Sequence, residues 1–221
     1  MIITTSAEKG GVGKSTVAMI LASELHRMEY AVLVVDTDPQ GTVREWADIA
    51  SDSCESFPAV ITMGDNLSRQ LPGIADRYDV TIVDCAGTDN RALRRALSIS
   101  DLALVPCGAS APEMFGIKRT LRIIDEARDA NPHLDSAIVA NKIKRGTVIG
   151  ASASEQLRDL GHRVLSAELS NLVAFEEFPA TGMGVSQYAA GTKAAKEAQA
   201  LTAEILALIS TAPETQEREV A

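Results

Sequence analysis

Glu8-Lys9-Gly10-Gly11-Val12-Gly13-Lys14-Ser15-Thr16 follows the short apolar run Ile2-Thr5 and leads into a helix-period segment, Ser15-Arg27. A glycine-rich turn between a strand and a helix gathers backbone N–H groups at a helix N-terminus, where the helix dipole favours an anion. Glycine leaves no Cβ between those amides and a phosphate oxygen, and Lys14 can reach the β and γ phosphates. The Ser15 hydroxyl suits a Mg²⁺ ligand. The stretch therefore predicts a phosphate-binding loop contacted through Gly10, Gly11, Val12, Gly13, Lys14, Ser15 and Thr16. In the strict pattern G-x-x-x-x-G-K-[ST] a glycine stands five residues before Gly13. Here Glu8 occupies that position, and a second lysine, Lys9, follows it.

Around this loop, short apolar runs recur at Ile2-Thr5, Ala31-Val35, Val60-Met63, Asp79-Val83, Leu102-Pro106 and Ser136-Ala140. Nearly continuous apolar runs suit parallel strands covered on both faces. Helix-period segments separate them, at Ser15-Arg27, Val43-Ala50, Leu67-Arg77, Arg91-Ile99, Met114-Ala130 and Ala151-Leu160, and a last one spans Lys193-Ile209. Alternation of this kind predicts βαβ units and an α/β fold with a doubly wound, mostly parallel sheet flanked by helices. The 221 residues fit one domain, expected over 1–211, with an acidic tail at 212–221.

Two further acidic segments lie at expected strand ends. Asp36-Thr37-Asp38-Pro39-Gln40-Gly41 closes the second run, and its aspartates at i and i+2 point to the same side at the carboxyl edge of the sheet, where ligands bind. Asp84 ends the run Val80-Thr81-Ile82-Val83, a position suited to holding a water on Mg²⁺.

The stretch from Lys9 to Thr16 resembles the deviant Walker A loop of the ParA/MinD family of P-loop ATPases, and Asp36 to Gly41 resembles that family's switch I motif. The resemblance implies a P-loop NTPase fold, ATP and Mg²⁺ as cofactors, and an ATP-sandwich homodimer. Lys9 then takes the part of the signature lysine, reaching the phosphates held by the partner protomer. Asp38 orients the attacking water, while Asp36 and Asp84 join Ser15 around the metal. Family members often continue Asp-x-Pro-Pro, whereas this chain has Asp84-Cys85-Ala86-Gly87, which resembles the small ParF-type branch and gives Gly87 a γ-phosphate contact. Asn141, Pro179 and Ala180 sit where family members contact adenine.

Among relatives with the deviant loop, nitrogenase-like iron proteins need a cysteine pair for a cluster, and Cys85 and Cys107 lack that context. MinD-type proteins end in a basic amphipathic helix that binds lipid, but Lys193-Ile209 carries only Lys193 and Lys196 as bases and precedes acidic residues. Dethiobiotin synthetase-like ligases lack the equivalent of Lys9. The resemblance is thus to short ParF-like partition ATPases, cytoplasmic and nucleoid-associated, acting with a ParB-like centromere-binding protein or cargo adaptor and away from membranes. Two alternatives stay open: positioning of a non-DNA cargo such as a chemoreceptor cluster or carboxysome, and a metabolic P-loop ligase.

The net charge of −9 argues against a dedicated nucleic-acid binder. The charge is uneven, however, and 112–163 carries nine basic residues against seven acidic. Candidate DNA contacts are Arg91, Arg94 and Arg95 on one helix face, Lys142, Lys144 and Arg145 in a loop, and Lys193 and Lys196. Non-specific DNA binding is therefore expected to be weak, salt-sensitive and dependent on the dimer. No run approaches the roughly 18 apolar residues of a membrane span. Three cysteines, Cys54, Cys85 and Cys107, form no CxxC and read as small apolar residues.

Overall fold

A computed structural model describes residues 1–54, 56–87, 90–147 and 155–210. Six strands, β1 (Ile2–Thr5), β2 (Val32–Asp36), β3 (Ala59–Thr62), β4 (Val80–Asp84), β5 (Leu102–Cys107) and β6 (Asp135–Ala140), form one sheet in the order β3-β2-β4-β1-β5-β6. All pairings are parallel. Helices α1 (Lys14–Arg27), α2 (Thr42–Ser53), α3 (Leu67–Ala75), α4 (Asn90–Leu97) and α5 (Ala111–Ala127) connect them. Beyond β6 come α6 (Ala174–Glu177), a 3₁₀ turn (Phe178–Thr181), α7 (Val185–Tyr188) and the closing helix α8 (Lys193–Ser210).

The sheet divides the core in two because successive side chains of a strand face opposite sides. Ile3, Val32, Val34, Ile82, Leu104 and Val139 join one layer with α1, α2 and α8. Ile2, Leu33, Val35, Val83, Val105 and Ile138 join the other with α3, α4 and α5. Burial on both faces is the physical reason these strands read as continuous apolar runs instead of alternating ones.

β2 and β4 each lie one residue later than the sequence expectation, so that Asp36 and Asp84 are the last residues of their strands. The ladder extends that far because Asp36 pairs with both Thr62 and Asp84, and Asp84 with Thr5. Helix α5 starts at Ala111, earlier than expected, since Ser110 and Glu113 form a capping box with Pro112 in the first turn. The expected helix Ala151-Leu160 is helical over 155–158, and its part at 151–154, like the expected tail at 212–221, lies outside the described residues. The chain then adds single parallel bridges, Ile138 to Val164 and Ile143 to Ser170, alongside β6.

The segment 174–188, which lacks a long apolar period, is anchored by tertiary contacts. Trp46 of α2 is buried, donates from Nε1 to the Met183 carbonyl at 2.9 Å, and meets Phe57 edge-on with centroids 4.3 Å apart. Gly182 lies so close to α2 that a Cβ would stand 2.6 Å from the Ala50 nitrogen.

Candidate phosphate-binding site

Helix α1 begins at Lys14 behind Gly13, whose φ of 98° lies in the left-handed region. Glycine is required there twice over, because a Cβ would also stand 2.1 Å from Nδ2 of Asn141. The first turn of α1 has no acidic residue and no side-chain cap. Its backbone amides therefore face outward without an internal acceptor, an arrangement that favours an anion.

Asn141, at the end of β6, is 3% exposed and donates from Nδ2 to the Val12 carbonyl at 2.7 Å. Lys142, at a positive φ of 55°, donates from Nζ to the Gly11 carbonyl at 2.8 Å. The end of β6 thus fixes the orientation of two loop peptides. The chain at 169–171 runs beside it, with Leu169 N–H on the Ala140 carbonyl at 2.9 Å and Asn171 N–H on Ile143 at 3.0 Å. Pro179 and Ala180 lie in the 3₁₀ turn packed against α2.

Lys14 is 7% exposed, and its Nζ lies where a Cβ on Gly87 would be only 2.7 Å away. A buried cation therefore sits between the loop and the chain following β4. Asp84 is buried beside it and accepts hydrogen bonds from Ser15 and from Thr5 Oγ1, the latter at 3.0 Å. Burial pushes the Asp84 carboxyl up to about 6, against the pull of those hydroxyls and Lys14, with the Asp36 charge adding to the rise. Asp36, raised as well and chiefly by burial, accepts from the backbone N–H groups of Asp38 at 2.9 Å and Arg44 at 3.1 Å. Its carboxylate thereby shapes the turn that carries Asp38. Asp38 is half-buried, and its Oδ1 accepts from the Gln40 N–H at 2.9 Å.

Sequence reasoning missed two residues of this site. Thr5 supports Asp84; Thr37 donates to the Asp84 carbonyl at 3.0 Å and accepts from the Ala86 N–H at 3.3 Å. The available signal was a hydroxyl at the end of a fully buried strand, as in Thr5, or inside the Asp-x-Asp turn, as in Thr37.

Among the described residues no cluster of three or more His, Cys, Asp or Glu forms a cage for a metal. The donor set instead fits a Mg²⁺ ion, which is usually held by one or two carboxylates, a hydroxyl and substrate phosphates. Ser15 and Asp84 are adjacent, Asp36 stands next to Asp84 across the ladder, and a buried acid raised this far gains from a divalent cation.

A pH dependence follows from Asp84. Between about pH 4 and about pH 6 the folded chain keeps a proton there that the unfolded chain has released. Stability contributed by the protonated form is therefore lost as pH rises through this window, by about 2 to 3 kcal/mol. In urea unfolding without nucleotide, Asp84→Asn should gain stability relative to wild type between pH 4.5 and 7.5, and parallel profiles would refute this.

All three cysteines are free, and Cys107 is buried with its thiol pushed up to about 12 by burial and by the Glu113 carboxylate.

A six-stranded parallel sheet with a glycine-rich loop from β1 into α1, a buried lysine and two strand-end aspartates defines a P-loop nucleotide-binding domain. Residues 3–185 match the CobQ/CobB/MinD/ParA nucleotide binding domain, and the chain belongs to this family. It is 26% identical over 201 residues to the maintenance of carboxysome distribution protein A of Halothiobacillus neapolitanus, covering 90% of this chain and 93% of that one. It is 30% identical over 133 residues to protein ParA of Rhizobium radiobacter, covering 58% of each chain. Among the solved structures that share the fold are two nucleotide complexes. An ATP complex of a Cyanothece McdA variant has a TM-score of 0.76 at 16% identity, covering 94% of this chain and 96% of that one. The Pyrococcus horikoshii MinD complex with Mg-ADP has a TM-score of 0.73 at 17% identity, covering 96% and 98%.

Proposed function

We propose that the chain is a Mg²⁺-dependent ATPase that forms an ATP-sandwich homodimer and positions a cargo, with DNA segregation as the first reading. The observation that carries it is the contrast between the two lysines of one loop. Lys14 is buried against Gly87, whereas Lys9 is exposed. A buried lysine serves the nucleotide of its own protomer, and an exposed one at the mouth is free to serve another. Gly10 to Thr16 hold the phosphates, and Gly87 offers its N–H beside Lys14. Asn141 borders the loop where a base would lie, and Pro179 and Ala180, in the 3₁₀ turn, are the further adenine contacts. The ion held by Ser15, Asp84 and Asp36 would neutralise charge on the phosphates. Asp38, carried on the Asp36 turn, orients the attacking water.

The second reading, a protein-compartment cargo, is favoured by the near full-length similarity to a carboxysome distribution protein. It also suits the state of the expected DNA contacts. Arg94 pairs with Glu126 at 2.6 Å, Arg95 with Asp65, Arg145 with Glu168 at 3.5 Å, and Lys193 with Glu197 at 3.5 Å. Lys142 is spent on the loop. Either way the site of action is the cytoplasm, and no described helix is long and apolar enough to cross a membrane.

The test is ATP turnover and DNA association of the purified chain, with ATP and with ADP, over a salt series. ATP-dependent association that weakens as salt rises supports the nucleoid-bound ParA-like machine. Asp38→Ala should bind ATP and dimerise while hydrolysing at least tenfold more slowly. Turnover that requires a small metabolite would overturn the proposal in favour of a ligase. Stimulation by a ParB-like centromere-binding protein, as against a compartment-bound adaptor, separates the two cargoes.

A further inference from the structure

We propose that helix α5 sets the placement of Lys9, with Arg119 and Thr120 as positioning residues that act through Glu8; the inference rests on the reading of Lys9 as a residue that acts on nucleotide. Gly116, Arg119 and Thr120 stand at i, i+3 and i+4 on α5 and so share one face of the helix. That face receives the two residues that open the loop. The Glu8 N–H donates to Thr120 Oγ1 at 3.0 Å, and Thr120 is 1% exposed. Glu8 Oε1 pairs with Arg119 at 2.9 Å. The stem of Lys9 lies over Gly116, where a Cβ would meet Lys9 Cβ at 3.4 Å and Cδ at 3.6 Å.

On the other side of Lys9, nothing packs where a Cβ on Gly10 or Gly11 would be, within 4 Å. The backbone of Lys9 is therefore restrained from Glu8, and the next hold on the loop is Lys142 on the Gly11 carbonyl. A lysine that must deliver charge to a developing transition state gains from being held in place beforehand, because ordering it during the reaction costs conformational entropy. The Glu8–Arg119 pair is suited to this and ill suited to a role in stability. Its arginine side chain is 75% exposed, and exposed pairs contribute little to folding. Glu8 Oε2 is buried and accepts no hydrogen bond among the described residues, so the carboxylate is committed to α5 through one oxygen alone.

The experiment uses the full chain and four variants, Arg119→Ala, Arg119→Lys, Thr120→Val and Glu8→Gln, together with the Glu8→Gln/Arg119→Ala double. ATP turnover, binding of a fluorescent ATP analogue, thermal melting and amide hydrogen exchange across residues 6–12 are measured on each. Arg119→Ala should lower kcat about fivefold with KM and analogue affinity within about twofold, and Arg119→Lys should restore most of it. The double variant should be no slower than the slower single, since both changes break one link. Exchange at Glu8, whose N–H is held by Thr120, should quicken about tenfold in Thr120→Val, with melting lowered by no more than about 5 °C. Unchanged kcat in Arg119→Ala, multiplicative effects in the double, or unchanged exchange in Thr120→Val would each overturn the inference. A wild-type chain that binds nucleotide but does not turn it over overturns the ATPase reading instead. The hold of α5 on the loop is then decided by the exchange rates alone.

Discussion

Lys9→Ala is expected to reduce ATP turnover about a thousandfold while leaving nucleotide binding within severalfold of wild type. The size of the effect follows from phosphoryl transfer, in which one cation delivered to the γ-phosphate oxygens contributes about three orders of magnitude or more. The sparing of affinity follows from the structure, since the anion-facing end of α1 and buried Lys14 are untouched by the change. The trans role makes a stronger prediction. A Lys9→Ala protomer still binds nucleotide but lacks the lysine, whereas a Lys14→Ala protomer lacks the binding site but keeps Lys9. Mixed, the two inactive proteins should form heterodimers with one complete site and recover turnover. Wild-type activity of Lys9→Ala, or a mixture as inactive as its components, would remove the sandwich arrangement from the mechanism.

Lys14→Ala is expected to weaken nucleotide binding by two orders of magnitude or more, read by titration with a fluorescent ATP analogue. Truncating one partner of a desolvated charge pair costs about 3 kcal/mol or more, and 1.4 kcal/mol is a factor of ten. Lys14 qualifies because it is 7% exposed, with Asp84 as its buried counter-charge. Lys14→Arg should rescue little. With Gly87 against the ammonium group, the slot admits a point charge and no planar guanidinium. Loss of the cation also leaves two carboxylates facing each other, so the variant should be less stable than wild type at pH 7.5 and closer to it at pH 5. Binding within fivefold of wild type would show that Lys14 lies outside the phosphate site.

The fold was legible in the sequence to the extent that strand periodicity is a local property. All six strands were readable because both sheet faces are covered, which makes apolar runs continuous, and α1 was readable from its glycine-rich entry. The apolar runs alone stop one residue short of β2 and β4, because pairing of Asp36 and Asp84 with neighbouring strands carries each ladder onto the aspartate that follows the run. The segment from Ala174 to Tyr188 was opaque for a related reason. What holds it is Trp46, Ala50 and Ser23 on α1 and α2, more than 120 residues away in the chain, and no local pattern encodes them.

The same division runs through the site. By itself the sequence determined the phosphate loop, the two lysines and the strand-end aspartates, because strand, turn and helix N-terminus are contiguous in the chain and their chemistry depends only on that order. Tertiary structure alone decided the rest. It set Asn141 and Lys142 on the carbonyls of Val12 and Gly11, packed the 3₁₀ turn of Pro179 and Ala180 against α2, paired Arg94 and Arg95 with acids of other elements, and laid Glu8 and Lys9 along α5. Each of these depends on which strand neighbours which in the order β3-β2-β4-β1-β5-β6. Strand order brings together residues more than a hundred positions apart, and one residue's surroundings along the chain carry no trace of it.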